Sequence, residues 1–229
     1  DVYKRQMQGK CLYYIKRYDE AWMLMNQALD IVIQIDSKRQ IVACHKQLYY
    51  LCREFKRMMN ERGDEQASTL FFRESLLHEM YFSEKPRLAE LTVRYEALRC
   101  DIMQQYYMNK DYDNVIRIAT SLDFHDDADP NASCLVYYYK AQAYVKLENY
   151  PMAKEAFFRE LELRKKYLGW EEEDTILACQ NLGVLHSFCN EREEALACFR
   201  EAYGYEVKKN GEDSEMAQKL LQYISVVES

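Results

Sequence analysis

The sequence predicts an all-α protein, an α-α superhelix in which about five helical hairpins stack in a row and one further helix caps the stack. Three observations support this prediction. Only 6 of the 229 residues are Gly and 3 are Pro, too few for the many tight turns of an all-β chain. Hydrophobic residues make up 48% of the chain, enough for a packed core. A pattern of small and aromatic residues also recurs along the chain.

The clearest repeated unit lies at residues 134–161 and recurs at 176–203, an offset of 42 residues. In the first unit a small residue is followed by two tyrosines, a second small residue and an aromatic: Ala141, Tyr144, Tyr150, Ala153 and Phe157. The matching positions of the second unit are Gly183, His186, Arg192, Ala195 and Phe199.

This spacing is typical of two antiparallel helices in close contact. The small residue of the first helix lets the second helix approach, and the small residue of the second helix lies at the crossing point. The aromatic side chain then fills the space toward the next pair. Because one hairpin does not bury its apolar faces alone, neighbouring hairpins must stack.

These positions resemble the tetratricopeptide repeat (TPR), and the segments ELELRKKYLGWEEEDTILACQNLGVLH and EEALACFREAYGYEVKKNGEDSEMAQ are similar to the longer repeats of kinesin light chains. The resemblance is strongest over residues 134–217. It departs from the family pattern at Tyr137 and Cys179, where Trp is common, and at His186 and Arg192, where Tyr is preferred. These replacements are conservative for packing, so the resemblance implies a TPR-type solenoid.

We expect one such array over residues 1–229, with weaker matches in the N-terminal half. The predicted segments are repeat 1 at 1–36, a divergent repeat 2 at 37–82, a divergent repeat 3 at 84–124, repeat 4 at 130–169, repeat 5 at 172–210 and a capping helix at 213–227.

Residues that favour helix ends fall at the predicted boundaries. Three prolines stand where a helix should begin: Pro86, Pro130 and Pro151. Three glycines lie between periodic segments, where they are expected to end helices: Gly63, Gly169 and Gly211. Ser37, with Gln40 three residues later, is typical of a capping box.

The composition limits where in the cell the protein is expected and which partners it can bind. No apolar stretch approaches the roughly 20 residues that span a bilayer, and the start, DVYKRQMQGK, lacks the apolar run of a signal peptide. We therefore expect a cytoplasmic protein in which most of the eight cysteines are buried thiols and none forms a disulfide. The net charge of −7 argues against direct nucleic-acid binding.

No catalytic or metal-binding motif is recognisable. The four histidines, His45, His78, His125 and His186, have no HExxH or paired Cys spacing. An acidic loop at 125–129 offers carboxylates for a weak divalent-cation site. It has no Gly-centred calcium loop, so we favour a solvated loop with Asp129 as the cap of the next helix. We predict no enzyme activity, no cofactor and no metal site.

The surface expected to bind a partner is the concave face of the superhelix, lined by the first helix of each pair. Repeat register places these side chains on it: Asp101, Gln104, Tyr107, Tyr138, Gln142, Gln180, Asn181 and Val184. Amide side chains pair with the backbone of an extended peptide, and tyrosines add rigid contact area. The TPR resemblance implies that Asn181 in particular binds ligand backbone. The resemblance also implies set first-helix positions at which Lys and Arg hold a terminal carboxylate; those positions carry neither residue here, so a terminal carboxylate is not the expected ligand.

We therefore interpret the chain as a protein- or peptide-binding scaffold. The alternative is a regulatory sensor module of a bacterial signalling or transcription regulator, in which a small bound peptide controls an upstream domain. Self-association is a third hypothesis, because residues 1–62 carry a net positive charge and the remainder a net negative one. The helical pattern already runs by Tyr3 without a preceding Met, so we expect a piece of a longer protein.

Overall fold

A computed structural model describes residues 2–83, 95–120, 129–170 and 172–229. All regular structure in these ranges is α-helical, which confirms the all-α class. The helices are α1 (Val2–Tyr14), α2 (Tyr18–Gln34), α3 (Lys38–Glu61), α4 (Glu65–Glu79), α5 (Tyr95–Met108), α6 (Tyr112–Thr120), α7 (Pro130–Lys146), α8 (Tyr150–Tyr167), α9 (Glu173–Phe188), α10 (Arg192–Asn210) and α11 (Glu215–Glu228).

The chain divides into two compact units, Asp1–Asp123 and Phe124–Ser229. Within each unit the main packing partners of a helix are the helices directly before and after it in sequence. Such nearest-neighbour packing is what stacked hairpins produce. The described helices lie in consecutive pairs within the ranges expected for the repeats, and the last helix begins two residues after the start expected for a capping helix. Whether the repeats form one continuous array stays a prediction.

One three-residue turn joins the two helices of every pair. The middle residue of each turn has a positive φ, between 57° and 75°: Lys16, Gly63, Lys110, Glu148 and Asn190. In each turn the following amide donates to the carbonyl five residues earlier, as from Arg17 to Leu12 and from Asn149 to Tyr144, both at 2.9 Å. This is a left-handed helix stop that satisfies the last carbonyls of the first helix. The chain therefore reverses in the same way in all five pairs.

Helix ends follow the expected signals with one exception. Pro130 is the first residue of α7, where the Asp129 carboxylate accepts from the Ala132 amide at 3.1 Å. Pro151 lies in the first turn of α8. The three predicted glycine stops have φ between 75° and 88°, whereas Pro86 lies outside the described residues. The capping box at Ser37 was wrong: Ser37 is the N-cap residue of α3, but its side chain makes no capping hydrogen bond.

The predicted small residues lie where helices cross in the second unit. Ala141, Ala153 and Ala195 are fully buried, and a Cβ atom built on Gly183 would lie only 2.8 Å from the Phe199 ring. Gly183 therefore lets α9 and α10 approach more closely than any larger residue would. These residues belong to one apolar core that α7 to α11 share.

The last helix has an apolar inner face and a mostly polar outer one, on which Leu221 and Val226 are also exposed. Ala217 and Leu220 of α11 are buried against α10, while Gln218, Lys219, Gln222 and Ser225 are exposed. A polar outer face is what a capping helix needs at the end of a stack. In the part of the chain that the structure describes, no helix is both long and apolar enough to cross a membrane.

Candidate peptide-binding groove

The second unit contains a groove between α7, α8 and α9. Its volume is about 260 Å³. Gln142 and Val145 of α7 line it, with Tyr150 and Phe157 of α8 and with Asn181, Val184, Leu185 and Phe188 of α9. Three residues predicted from repeat register, Gln142, Asn181 and Val184, thus come together in one place.

The lining is apolar except for two amides. Val184 is 42% exposed and Phe188 is 66% exposed, and the two lie together on one face of α9. The Phe188 ring packs on the Tyr150 ring with centroids 5.1 Å apart, so this end of the groove has a fixed aromatic wall. An exposed apolar groove of this kind is typical of a surface that binds another molecule.

Gln142 and Asn181 are half-buried, and among the described residues neither side chain makes a hydrogen bond. Each amide offers a carbonyl oxygen acceptor and an NH₂ donor. Side chains of this type match the alternating N–H and C=O groups of an extended peptide. The groove therefore presents unused hydrogen-bonding groups beside an apolar floor.

A network of charged side chains lies near the C-terminal end of α9. The Glu191 carboxylate pairs with Lys154 and lies 2.6 Å from His186 Nδ1. A hydrogen bond from Lys154 lowers the pKa of Glu191, and a hydrogen bond from His186 lowers it further, by a smaller amount. None of these three residues lines the groove, so the groove itself is uncharged and suits an uncharged part of a ligand.

The remaining predicted residues lie elsewhere. Gln180 is only 6% exposed, with its Oε1 atom buried and unpartnered among the described residues, so it does not face solvent. Tyr138 is half-buried and packs against the core beside Phe157, with ring centroids 6.5 Å apart. The spacing of the repeats predicts the exposed face of each first helix to within about one residue. Packing of the neighbouring helix then decides which residues at the edge of that face are exposed.

Asp101, Gln104 and Tyr107 belong to α5 in the first unit. Asp101 and Gln104 are exposed, and Tyr107 is half-buried with its ring 5.6 Å from that of Tyr112. They share one face of α5, as the register predicts. They are not among the residues that line the groove between α1 and α2 in the described part of the first unit.

Sequence reasoning missed part of the groove wall. Tyr150, Phe157 and Leu185 were assigned to helix packing or passed over, yet they also border the groove. Phe188 follows Val184 by four residues and so lies on the same helix face. Continuing the helical spacing from Asn181 to Val184 by one further step would have found it.

Most of the acidic loop that offered a weak cation site, His125 to Asp127, lies outside the described residues. No protein-family model matches this sequence, and no curated protein matches it either. The assignment of function therefore depends on the groove itself.

Proposed function

We propose that this chain is a TPR-type scaffold that binds a segment of another protein, or a peptide, in extended form. The observation that carries the proposal is the pair of unused amides, Gln142 and Asn181, on either side of an apolar groove. In the bound state the amides hydrogen-bond the peptide backbone, and one apolar side chain of the peptide occupies the space beside Val184 and Phe188. This is a binding function without chemical catalysis.

The family assignment is part of this proposal. Close approach at Gly183, the same turn in five helical pairs and a last helix with a mostly polar outer face all support a TPR-type superhelix. Helical repeats of this kind leave an extended surface along one side, and they bind other proteins there.

The proposal is tested with peptides selected from a displayed library of random sequences. We expect the selected peptides to share one apolar residue, and the best of them is then measured against variants by isothermal titration calorimetry. Asn181→Ala removes the hydrogen bonds of the amide to the peptide backbone and should weaken binding by about 1–3 kcal/mol. Val184→Arg places a charge in the apolar groove and should abolish binding.

Matched controls come from α11. Gln222→Ala removes an exposed amide, and Val226→Arg adds a charge at an exposed valine, both away from the groove lining. Both controls should bind like the wild-type protein. If Asn181→Ala and Val184→Arg also bind like the wild type while the helicity of all four variants is unchanged, the groove is not the binding site.

A further inference from the structure

The first unit contains a cluster of ionisable side chains that has no role in the proposed groove. Cys52 of α3 faces Glu74 and His78 of α4, and all three are completely buried. One donor atom from each, a sulfur, an oxygen and a nitrogen, lies within 4.8 Å of the other two. Glu74 and His78 are four residues apart, so they share a face of α4.

Two donor atoms in this cluster point at each other without a hydrogen bond. His78 Nε2 lies 3.6 Å from Glu74 Oε1 and is buried without a hydrogen-bond partner among the described residues, whereas Oε1 also pairs with the Arg117 guanidinium at 2.5 Å. A separation of 3.6 Å is long for a hydrogen bond. It matches two ligands of one metal ion, since ligand bonds of about 2.0–2.3 Å place such atoms roughly 3.3–3.8 Å apart.

A second histidine contacts the other ring nitrogen of His78. His45 Nδ1 lies 2.9 Å from His78 Nδ1, so one of these two nitrogens carries a proton and the other accepts it. When the proton is on His78 Nδ1, the lone pair of its Nε2, beside Glu74, is free to bind an ion. Metal-binding histidines usually donate their other N–H in this way. The His45 ring is held by stacking on Tyr81, with centroids 3.6 Å apart.

Charge balance selects the kind of ion. Glu74 Oε1 lies 2.5 Å from the Arg117 guanidinium, and Glu74 Oε2 accepts a hydrogen bond from the Tyr106 hydroxyl at 2.5 Å. The carboxylate is therefore already neutralised. A divalent ion bound to the Cys52 thiolate and to Glu74 would leave Arg117 as an unpaired buried cation, which is costly. A monovalent ion is neutralised by the thiolate alone and leaves the Glu74–Arg117 pair intact.

We propose that Cys52 Sγ and His78 Nε2 bind one Cu(I) ion, with Glu74 beside it as a weaker third donor. Thiolate sulfur is a preferred ligand of this soft cation, and imidazole is compatible with copper. Cys52 is a free, buried cysteine. Binding replaces its thiol proton by the ion: the S–H bond breaks, the S–Cu bond forms and the proton leaves to solvent.

The test measures how many Cu(I) ions the whole chain retains under oxygen-free conditions, after a Cu(I) chelator has removed weakly bound metal. Because the donors are inaccessible, the folded protein is incubated for a long time, and a second sample is refolded with the ion. The wild type should retain one more equivalent than Cys52→Ala or His78→Phe. The control Cys134→Ala, at a buried cysteine of the second unit, should retain as much as the wild type.

Two further measurements do not depend on how the variants fold. X-ray absorption of the wild-type complex should show one sulfur and at least one imidazole nitrogen on the copper. A shell of sulfur alone would overturn the site, as would equal retention by Cys52→Ala and the wild type in the retention measurement above. Equimolar Zn²⁺ should not displace the retained ion, and displacement would overturn the assignment of a monovalent ion.

Discussion

At the scale of single residues, Glu160 of α8 is a buried carboxyl that is only partly paired. Its Oε1 accepts a hydrogen bond from Arg164 Nε at 2.8 Å, but Oε2 is buried without a partner among the described residues. Burial raises the pKa of Glu160 to about 7, although Arg164 acts in the opposite direction. Arg164 also lies 3.3 Å from Asp174, which divides its charge between two carboxylates.

The raised pKa makes the second unit more stable in mild acid. Between pH 7 and about pH 4.5 the folded Glu160 holds a proton that the unfolded chain does not, so stability rises as the pH falls through this window. We expect a gain of order 1–3 kcal/mol. Urea unfolding at several pH values, followed by Trp170 fluorescence in a Trp22→Phe background, measures it.

Glu160→Gln serves as the control for this pH dependence. It keeps the shape of the side chain and removes its titration, so the rise in stability between pH 7 and pH 4.5 should disappear. A rise of the same size in this variant would assign the pH dependence to another group. Arg164 keeps Asp174 as a partner in the variant.

At the scale of elements, the turn within each pair places a residue other than glycine in a left-handed conformation at four of five sites. A side chain with a Cβ atom is strained there by about 1–2 kcal/mol. Only Gly63 has the residue that this conformation favours. The turns therefore hold strain that the packing of the flanking helices offsets.

Replacing such a residue by glycine should stabilise the protein. Lys110→Gly and Glu148→Gly relieve the strain at exposed positions, and after the entropy that glycine adds to the unfolded chain we expect a gain of about 0.5–1 kcal/mol each. Gly63→Ala is the reciprocal change and should destabilise by a similar amount. Chemical denaturation measures all three, and a loss of stability in Glu148→Gly would contradict this account.

The elements also show what the sequence could and could not predict. Helical periodicity, Pro130 and the three glycine stops placed the helices closely, because these signals act locally. The turns at Lys16, Lys110, Glu148 and Asn190 were not anticipated, since no glycine marks them. Ser37 has the right residue type for a cap, yet the chain geometry there does not use its hydroxyl. The groove was predicted in part, because burial of Gln180 depends on packing between helices.

At the scale of the whole molecule, each compact unit has its own apolar core. One core is built around Leu29 and Leu48 in the first unit, and the other around Phe157 and Phe199 in the second. Each unit also contains one of the two tryptophans of the chain, Trp22 or Trp170. The unfolding of each unit can thus be followed separately.

This arrangement predicts a local response to overpacking. Gly183→Ala adds a Cβ atom 2.8 Å from the Phe199 ring and should destabilise the second unit by about 1–3 kcal/mol. When Trp170 is the only tryptophan, its fluorescence should show this loss of stability. When Trp22 is the only tryptophan, the unfolding curve should change much less. Gly204→Ala, where a Cβ atom meets nothing within 4 Å, should be neutral or slightly stabilising. Equal losses for both tryptophans would show that the two cores unfold together.

The shared turn has a consequence for how such a chain changes length over generations. Codons for Lys16, Gly63, Lys110, Glu148 and Asn190 specify equivalent points of the backbone. Unequal crossing-over between two of them would insert or delete one or more whole hairpins. The turn at the junction would keep its backbone conformation. A gene built in this way can acquire a longer or shorter product without inventing a new connection.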